Sequence, residues 1–267
     1  MLNNERVWVR GAGELGSGVA HLLHRLGVQV ILSDISPSLA IRRPVTFSDA
    51  LSEGTTEVEG VRALRHESYE LDTDSSQSHI PIFEDDPEKL LTLKPTIVVD
   101  ARMLKHYPQD YQPWTPLYIG LGPGFHVGVN CHCAVETKRG HSLGRIITTG
   151  APLQDTGIPG LLGGETSRRL IRATRSGHIK WNCQFGDEVI RGQELARING
   201  EKPVFAPIDG IIRGMISEAT QVLKGMKVGD IDPRGNDVDY TRISEKARMV
   251  ASGVFEAILL HHQHKLL

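Results

Sequence analysis

The stretch Val7-Trp8-Val9-Arg10-Gly11-Ala12-Gly13-Glu14-Leu15-Gly16-Ser17-Gly18 specifies the fold of the first half of this 267-residue chain. Its β-prone start runs directly into Gly11, Gly13 and Gly16, which have the spacing of a dinucleotide-binding turn. In such a turn the first glycine permits the bend and the second lets a diphosphate approach the backbone. The third lets helix and strand pack closely. The stretch therefore predicts a strand, a phosphate-binding turn and the start of a helix.

The residues after this turn complete a strand–helix–strand unit. Apolar side chains recur at helical spacing up to Gly27, which predicts the end of the helix. A β-branched run at 28–32 predicts the second strand, and Asp34 follows it. Asp34 lies roughly 20 residues beyond the glycines, where such units carry the carboxylate that binds the ribose hydroxyls. We interpret the unit as a nucleotide site; the alternative is a glycine-tightened turn with an acidic loop residue and no ligand.

Two adjacent arginines, Arg42 and Arg43, come soon after the second predicted strand. They can bind a ribose 2′-phosphate or another anion, or they can form a solvated basic turn. Because the carboxylate of Asp34 would repel a 2′-phosphate, the sequence argues against a simple preference for NADP.

A buried parallel strand is predicted over 96–102, with polar Asp100 and Arg102 at its carboxyl end. Open α/β sheets bind ligands at that edge, so both residues are candidate site residues. The alternative is an internal salt bridge between them.

A second strand ending in glycines is predicted from Leu117 to Phe125 and contains Gly120, Gly122 and Gly124. Such a turn can expose successive backbone N–H groups to an anion, or it can be an ordinary flexible turn. Its expected place at the same sheet edge as the first glycine turn favours the functional interpretation.

Composition narrows the class of protein. The formal net charge of -2 gives no electrostatic reason to expect a nucleic acid or a membrane surface as partner. No apolar run approaches the roughly 20 residues that span a bilayer, and the N-terminus lacks the apolar core of a signal peptide. The sequence therefore predicts a cytoplasmic protein of the ordinary globular kind.

The tripeptide Cys131-His132-Cys133 looks like a metal site, but strand alternation would place His132 on the opposite face from both cysteines. The third cysteine of the chain, Cys183, is distant in sequence. We therefore predict buried, inert thiols and no metal site.

Residues 173–231 contain two copies of one pattern, offset by 33 positions. The matching pairs are Ala173 and Ala206, Gly177 and Gly210, Ile179 and Ile212, Val189 and Val222, Gly192 and Gly225, and Ile198 and Ile231. Because neither short copy can bury a face alone, they are expected to close on one another with pseudo-twofold symmetry. The copies resemble the halves of a biotinyl/lipoyl-like barrel-sandwich domain. Lys202 lies in a hairpin join without the Met-Lys-Met-like turn of that family, so no covalent biotin or lipoate is expected.

The predicted fold class is α/β. An N-terminal Rossmann-like parallel sheet over 1–165 binds the nucleotide, and a duplicated barrel-sandwich-like β domain follows over 166–235. Ser244 can cap a C-terminal helix within 236–267, whose apolar stripe is expected to pack on the body of the protein. At the end of the β domain, Asp230, Asp232 and Arg234 can form a rigid ion-paired turn or face the ligand edge.

Along nearly its whole length the chain resembles the YqeB-type accessory proteins of the selenium-dependent molybdenum hydroxylase system. A weaker similarity in the Rossmann half reaches the XdhC/CoxI proteins. The blocks that carry the main resemblance are Arg10-Gly11-Ala12-Gly13-Glu14-Leu15, Ala40-Ile41-Arg42-Arg43-Pro44-Val45, Gly120-Leu121-Gly122-Pro123-Gly124-Phe125, the segment 135–145, Gly229-Asp230-Ile231-Asp232-Pro233-Arg234, and Ser244-Glu245-Lys246-Ala247-Arg248.

The resemblance implies a maturation role for a selenium-dependent molybdenum hydroxylase, with that enzyme or its maturation machinery as partner. The expected ligand is a nucleotide or a molybdopterin-type cofactor, an NAD-like dinucleotide included. No catalytic residue is assigned. The candidate cofactor-binding residues are Gly11, Gly13, Glu14, Leu15, Gly16, Asp34, Arg42, Arg43, Asp100, Arg102, Gly120, Gly122 and Gly124.

Two other functions fit the sequence. An NAD-dependent oxidoreductase would need a proton-transfer group, for which His126, His132 and His141 are the nearby candidates. A docking scaffold would instead use the β repeat and the terminal helix as interaction surfaces.

Overall fold

The computed structural model describes residues 2, 5–71, 78–104, 106–108, 115–157 and 160–266. They form a mixed α/β protein with one large mixed sheet, two antiparallel sheets and a C-terminal helix. The chain divides into two compact units. The first unit comprises Met1–Ser36, Val45–Thr156 and Ile243–Leu267, and the second comprises Pro37–Pro44 and Gly157–Arg242.

A nine-stranded sheet forms the first unit. Its strands are β1 (Arg6–Arg10), β2 (Gln29–Asp34), β3 (Thr55–Val58), β4 (Val61–Arg65), β5 (Ile80–Glu84), β6 (Ile97–Asp100), β7 (Leu117–Leu121), β8 (Cys133–Val135) and β9 (Ile146–Ile147). The order across the sheet is β3-β4-β5-β2-β1-β6-β7-β8-β9. Neighbouring strands are parallel from β4 to β8, and antiparallel partners close both edges. The chain order therefore reverses direction at β1, between β2 on one side and β6 on the other.

Helix α1 (Glu14–Arg25) connects β1 to β2, which confirms the predicted strand–helix–strand unit. Leu15, Val19 and Leu23 recur every fourth residue and are buried, so one stripe of α1 packs onto the sheet. The chain leaves the helix through Gly27, whose φ of 78° is accessible to glycine at little cost.

The sheet buries both faces, because successive side chains of β1 enter different cores. Val7 and Val9 pack in the core that α1 covers, and Trp8 packs in the core on the other face. Runs of consecutive apolar residues, as in β1 and β6, are typical of parallel strands covered on both sides.

Three further helices belong to the first unit: α2 (Ala50–Glu53), α3 (Pro87–Thr92) and α4 (Glu245–His262). Helix α4 begins at Ser244, whose side chain accepts a hydrogen bond from the backbone N–H of Ala247, so the predicted cap is confirmed. It packs on α1, where a Cβ on Gly18 would stand 3.0 Å from the Cβ of Ala247. Within the described residues, no helix combines the length and apolar character needed to cross a membrane.

The second unit contains two four-stranded antiparallel sheets. Its strands are β10 (Leu170–Arg172), β11 (Gly177–Trp181), β12 (Glu188–Val189), β13 (Glu194–Ile198), β14 (Lys202–Phe205), β15 (Gly210–Met215), β16 (Gln221–Val222) and β17 (Lys227–Asp232). One sheet has the order β10-β17-β15-β12 and the other β14-β13-β11-β16.

The predicted duplication is confirmed strand by strand. Moving 33 positions along the chain takes β11 onto β15, β12 onto β16 and β13 onto β17, and it exchanges the two sheets. Equivalent glycines even share their backbone angle, since φ is 147° at Gly177 and 146° at Gly210. Each copy therefore contributes strands to both sheets, and neither sheet can form from one copy alone.

The segment Pro37–Pro44 leaves the first unit directly after β2 and belongs to the second. The carbonyl of Ile41 accepts a hydrogen bond from the N–H of Met215 at 2.8 Å, and the carbonyl of Ser38 accepts one from the Thr220 hydroxyl at 3.0 Å. The boundaries predicted at 165 and 235 assumed that each domain is one continuous segment of the chain. The hydrogen bonds of segment 37–44 instead join it to residues 157–242 in one unit.

Candidate functional site

The turn at Gly11–Gly16, named the open turn, connects β1 to α1 at the carboxyl edge of the sheet. Gly11 has a φ of 101°, and a Cβ there would lie 2.9 Å from the backbone of Ala101. A Cβ on Gly16 would lie 1.8 Å from the carbonyl oxygen of Gly11. Both positions therefore require glycine for close packing, the first and third roles predicted from their spacing.

Gly13 differs from these two glycines because a Cβ on it would meet no atom within 4 Å. It is the N-cap of α1 with φ of -69° and ψ of -174°, and no side chain caps the helix there. The first N–H groups of a helix carry partial positive charge and lack intrahelical acceptors. The open turn thus offers free space in front of an uncapped helix N-terminus, where an anionic group can bind.

The carboxylate of Asp34 closes the other side of the open turn. Its Oδ2 accepts a hydrogen bond from the N–H of Ala12 at 3.0 Å, and its Oδ1 accepts one from Ile35 at 2.8 Å. Burial raises the pKa of Asp34 to about 6, and the nearby charge of Asp85 acts in the same direction. Among the described residues Asp34 has no cationic partner, so it is a half-buried carboxyl that can accept hydrogen bonds from ligand hydroxyls.

A buried polar network fixes the strand ends beside this carboxyl. Arg10 donates to both oxygens of Asp85 at 2.8–2.9 Å, and the Ser33 hydroxyl donates to the same carboxylate at 2.7 Å. The indole of Trp8 donates in turn to Ser33 at 2.8 Å. Arg10 directly precedes the glycine turn in the sequence, but only the fold shows that Asp85 is its partner.

Asp100 and Arg102 form an internal salt bridge, which was the predicted alternative to a ligand-binding role. Arg102 donates through Nε at 3.0 Å and Nη2 at 2.6 Å, and the Tyr118 hydroxyl donates to the same carboxylate at 2.9 Å. The Asp100 residue is fully buried. Burial, and then the charge of Asp100, raise the pKa of Tyr118. The Asp100 carboxylate thus has a cationic partner, which the Asp34 carboxylate lacks among the described residues.

The second glycine turn, Gly120–Gly124, is called the filled turn because protein atoms occupy the space beside its glycines. A Cβ on Gly120 would lie 2.1 Å from the ring of Phe125, and one on Gly122 would lie 2.5 Å from the Thr137 hydroxyl. A Cβ on Gly124 would lie 2.4 Å from the carbonyl oxygen of His106. The N–H of Gly122 donates to the carbonyl of Val135. These contacts favour a packing role for the filled turn over anion binding.

The remaining candidate residues lie in different units. Leu15 is buried in the core of the first unit, whereas Glu14 begins α1 beside the open turn. Arg42 and Arg43 belong to the second unit, where Arg42 is buried and donates to the carbonyl of Tyr240 at 3.5 Å. The structure therefore groups most candidate residues in the first unit, but not these two arginines.

Sequence reasoning missed Lys246, on the first turn of α4. It is half-buried, and its ammonium interacts electrostatically with the carboxylates of Glu14, Glu136 and Asp155 and with the guanidinium of Arg139. Burial lowers its pKa, and Glu14 is the largest influence that opposes the shift. The signal was present, because 135–145 and 244–248 were two of the family blocks, but only the fold brings them to Glu14.

The cysteines do not share a face, so that part of the sequence prediction is wrong. Cys131 packs in the core that contains Trp8, and Cys133 packs in the opposite core. Strand β8 begins only at Cys133, so alternation does not extend back to Cys131. Both thiols are buried, and burial raises the pKa of each to about 12. Among the described residues no group of three His, Cys, Asp or Glu side chains could hold a metal ion.

In the second unit, the residues left open in the sequence form an ion-paired turn. Asp230 pairs with Arg169, and Asp232 pairs with Arg213 at 3.0 Å and with Arg234 at 2.8 Å. Burial alone would raise the pKa of Asp232, but its hydrogen bonds with Arg234 and Arg213 outweigh burial and lower it to about 2. This network is a rigid element of the second unit.

Solved structures give only weak similarities. An aspartoacylase family protein from Mesorhizobium loti is 13% identical with a TM-score of 0.27, covering 85% of this chain and 84% of that one. The ectoine utilization protein EutE (DoeB) from Ruegeria pomeroyi is 10% identical with a TM-score of 0.26, covering 85% of each chain. TM-scores this low support no inference about fold or function.

No family model matches the chain. The chain is 41% identical over 263 residues to "Uncharacterized protein YqeB" of Escherichia coli (strain K12), and the match covers 97% of this chain and 48% of that protein. It thus spans about half the length of the curated relative that it matches. Over nearly its whole length, the chain is therefore similar to this half of YqeB.

Proposed function

We propose that the first unit binds a nucleotide or a molybdopterin-type cofactor at the open turn, and that the chain serves as an accessory protein in the maturation of a selenium-dependent molybdenum hydroxylase. One observation carries the binding step. A Cβ on Gly13 would have no atom within 4 Å, in front of an uncapped helix N-terminus and next to the half-buried carboxyl of Asp34.

The strand order supports this proposal. When β4, the outermost parallel strand, is left out of the count, strands β5, β2, β1, β6, β7 and β8 lie side by side in the order 3-2-1-4-5-6 of a Rossmann sheet. Ligands of such sheets bind outside the carboxyl ends of the strands, where the order reverses. The open turn leaves β1 at that reversal, between β2 and β6.

The maturation role rests on the resemblance carried by the family blocks in the sequence, and its partner would be the hydroxylase or its maturation machinery. The duplicated second unit is consistent with a barrel-sandwich-like domain in which each copy contributes to both sheets. Lys202 is exposed at the start of β14, directly after the hairpin turn. We infer no covalent biotin or lipoate on this lysine, and we expect the domain to act as a rigid accessory element.

The binding step is tested by replacing Gly13. Its backbone angles are open to any residue, and aspartate and asparagine are both favoured helix N-caps. Gly13→Asp is therefore expected to fold at least as stably as the wild type while placing a negative charge where the phosphate would bind. Gly13→Asn is the matched neutral variant, of nearly the same size.

Calorimetry with NAD, ADP and a purified molybdopterin derivative measures binding, and thermal unfolding measures stability. We expect Gly13→Asp to lower the affinity for the phosphate-bearing ligand at least about tenfold more than Gly13→Asn does. A wild-type protein that binds none of these ligands would overturn the binding proposal, and so would a Gly13→Asp variant that binds like wild type. Loss of molybdenum hydroxylase activity in cells carrying only Gly13→Asp would support the maturation role, and normal activity would count against a need for the site.

A further inference from the structure

Lys246 carries an inference that goes beyond the open turn itself. Among the described residues its ammonium makes no hydrogen bond and no ion pair within 4 Å, although the residue is half-buried. Partial burial also lowers the pKa of Lys246 below that of an exposed lysine. Groups of this kind are enriched at functional sites.

The position of Lys246 relative to the open turn is fixed by close helix packing. It precedes Ala247, which touches Gly18, and Gly18 lies one helical turn beyond Glu14 at the start of α1. The first turns of α1 and α4 are therefore neighbours. Lysine's flexible four-carbon stem lets its ammonium extend from one turn toward the other.

The loop after β8 holds α4 in this place. A Cβ on Gly253 would lie 2.0 Å from the carbonyl oxygen of Gly144, so loop and helix are in backbone contact there. Arg139 of the same loop forms an ion pair with Glu245, next to Lys246. The contact between Gly144 and Gly253 and the Arg139–Glu245 ion pair thus hold α4, and with it Lys246, in place. Among the described residues, the Lys246 ammonium makes no hydrogen bond that would do so.

The charged groups around Lys246 come from every element packed against it: Glu14 from α1, Glu136 and Arg139 from the loop after β8, Asp155 from the following segment, and Glu245 from α4 itself. Both oxygens of Glu136 already accept backbone hydrogen bonds, from Lys138 at 2.7 Å and Leu153 at 2.8 Å. Arg139 is the partner of Glu245. Burial lowers the pKa of Lys246, while the carboxylates oppose this shift and favour the ammonium, the form that can bind an anion.

We propose that Lys246 binds a phosphate of the ligand held at the open turn, and so selects phosphorylated ligands over their phosphate-free counterparts. This inference rests on the proposed function, because it needs a ligand at Gly13. It adds a side-chain cation to the backbone N–H groups of α1, and it assigns a role to the family block at 244–248.

The test uses the full chain, with ADP as the phosphate-bearing probe and adenosine as the phosphate-free probe. Lys246→Met keeps the length of the side chain and removes its charge. Lys265→Met is the matched control, because Lys265 is exposed beyond the other end of α4, about 24 Å away along the axis. We expect Lys246→Met to weaken ADP binding at least tenfold and to leave adenosine binding within twofold, while Lys265→Met changes neither.

The pH dependence separates a direct contact from a structural effect. Because burial lowers the pKa of Lys246, wild-type affinity for ADP should fall at a lower alkaline pH than an exposed lysine would give. Lys246→Met should lack this decline, and Lys246→Arg should shift it to higher pH.

The outcomes distinguish this inference from the proposed function. If the wild type binds ADP, Gly13→Asp loses binding, and Lys246→Met binds like wild type, then the inference is wrong and the proposed function stands. Equal weakening of ADP and adenosine binding by Lys246→Met would also overturn it, since the phosphate would then play no part. If the wild-type protein bound no ADP, both the proposed function and the Lys246 inference would be wrong for nucleotides.

Discussion

The two glycine turns of the first unit lie at the same sheet edge and differ in what surrounds them. In the open turn, Gly13 faces empty space, and the neighbouring carboxyl of Asp34 has no cationic partner among the described residues. In the filled turn, the ring of Phe125 occupies the space beside Gly120, and the nearby carboxylate of Asp100 is bound by Arg102. Two similar sequence patterns therefore end in opposite physical situations.

Glycine spacing alone does not identify a binding turn. Glycine is needed wherever backbone or side chains approach closely, with or without a ligand. What distinguishes the open turn is a glycine whose missing side chain is not explained by the protein's own packing. Substitutions in and beside each turn can therefore test whether the two turns differ as their surroundings indicate.

The largest effect on stability is expected at Asp100, which lies beside Gly120 of the filled turn. Asp100→Asn removes the charge partner of Arg102 inside the protein, and breaking a buried pair costs about 3–5 kcal/mol of unfolding free energy. Urea denaturation measures this loss. Because Asp100→Asn removes the negative charge that faces the Arg102 guanidinium, the double variant Asp100→Asn/Arg102→Met should recover a large part of the loss, and no recovery would mean that the ion pair is not its source.

A smaller effect separates the glycines themselves. Gly120→Ala places a methyl group 2.1 Å from the Phe125 ring, and such overpacking should lower the unfolding free energy by about 1–3 kcal/mol. Gly13→Ala meets no atom within 4 Å and should remain within about 1 kcal/mol of wild type. Thermal unfolding compares the two. In the Gly120→Ala background, Phe125→Leu should relieve the steric clash with the ring. If Gly120→Ala and Gly13→Ala lowered stability equally, the distinction between the open and filled turns would be lost.

The smallest effect concerns the pH dependence at Asp34. The pKa of Asp34 is about 6 in the folded protein, above the ordinary value of 3.8. Between pH 3.8 and about 6, the folded protein therefore holds a proton on Asp34 that the unfolded chain has lost. The contribution of Asp34 to stability is therefore greatest below pH 3.8 and is lost as the pH rises through about 6.

Asp34→Asn removes this penalty and should raise the unfolding free energy by about 1 kcal/mol at pH 8. This is less than the roughly 3 kcal/mol that the pKa difference implies, because asparagine gives up one acceptor for a backbone N–H. The gain should shrink as the pH falls from 6 to 4 in parallel denaturation series. A difference in stability that does not change with pH would show that the charge of Asp34 is not its cause.

Local sequence patterns predicted a large part of the fold. The glycine turn, the apolar stripe before Gly27 and the β-branched run after it gave β1, α1 and β2. The 33-residue offset predicted two equivalent copies, because a repeat too short to bury its own face must pair with its neighbour. In these regions the residues that specify a structure are close together in the chain.

Predictions about the site were less complete, because its residues come from distant segments. Lys246 and Glu14 meet only through the packing of α4 on α1. Arg42 lies close to the open turn in sequence, yet the hydrogen bonds of segment 37–44 place it in the second unit. Cys131 and Cys133 face different cores because a strand begins between them.

Sequence patterns were sufficient to specify the strand–turn–helix unit and the duplicated β domain, because glycine spacing, apolar periodicity and internal repetition act over short stretches of chain. Tertiary packing was needed to establish which glycine turn is open, which aspartate at the sheet edge lacks a cationic partner among the described residues, and which lysine lies beside the turn. Each of these depends on what fills the space around a residue, and the neighbours that fill it come from parts of the chain that the local pattern does not contain.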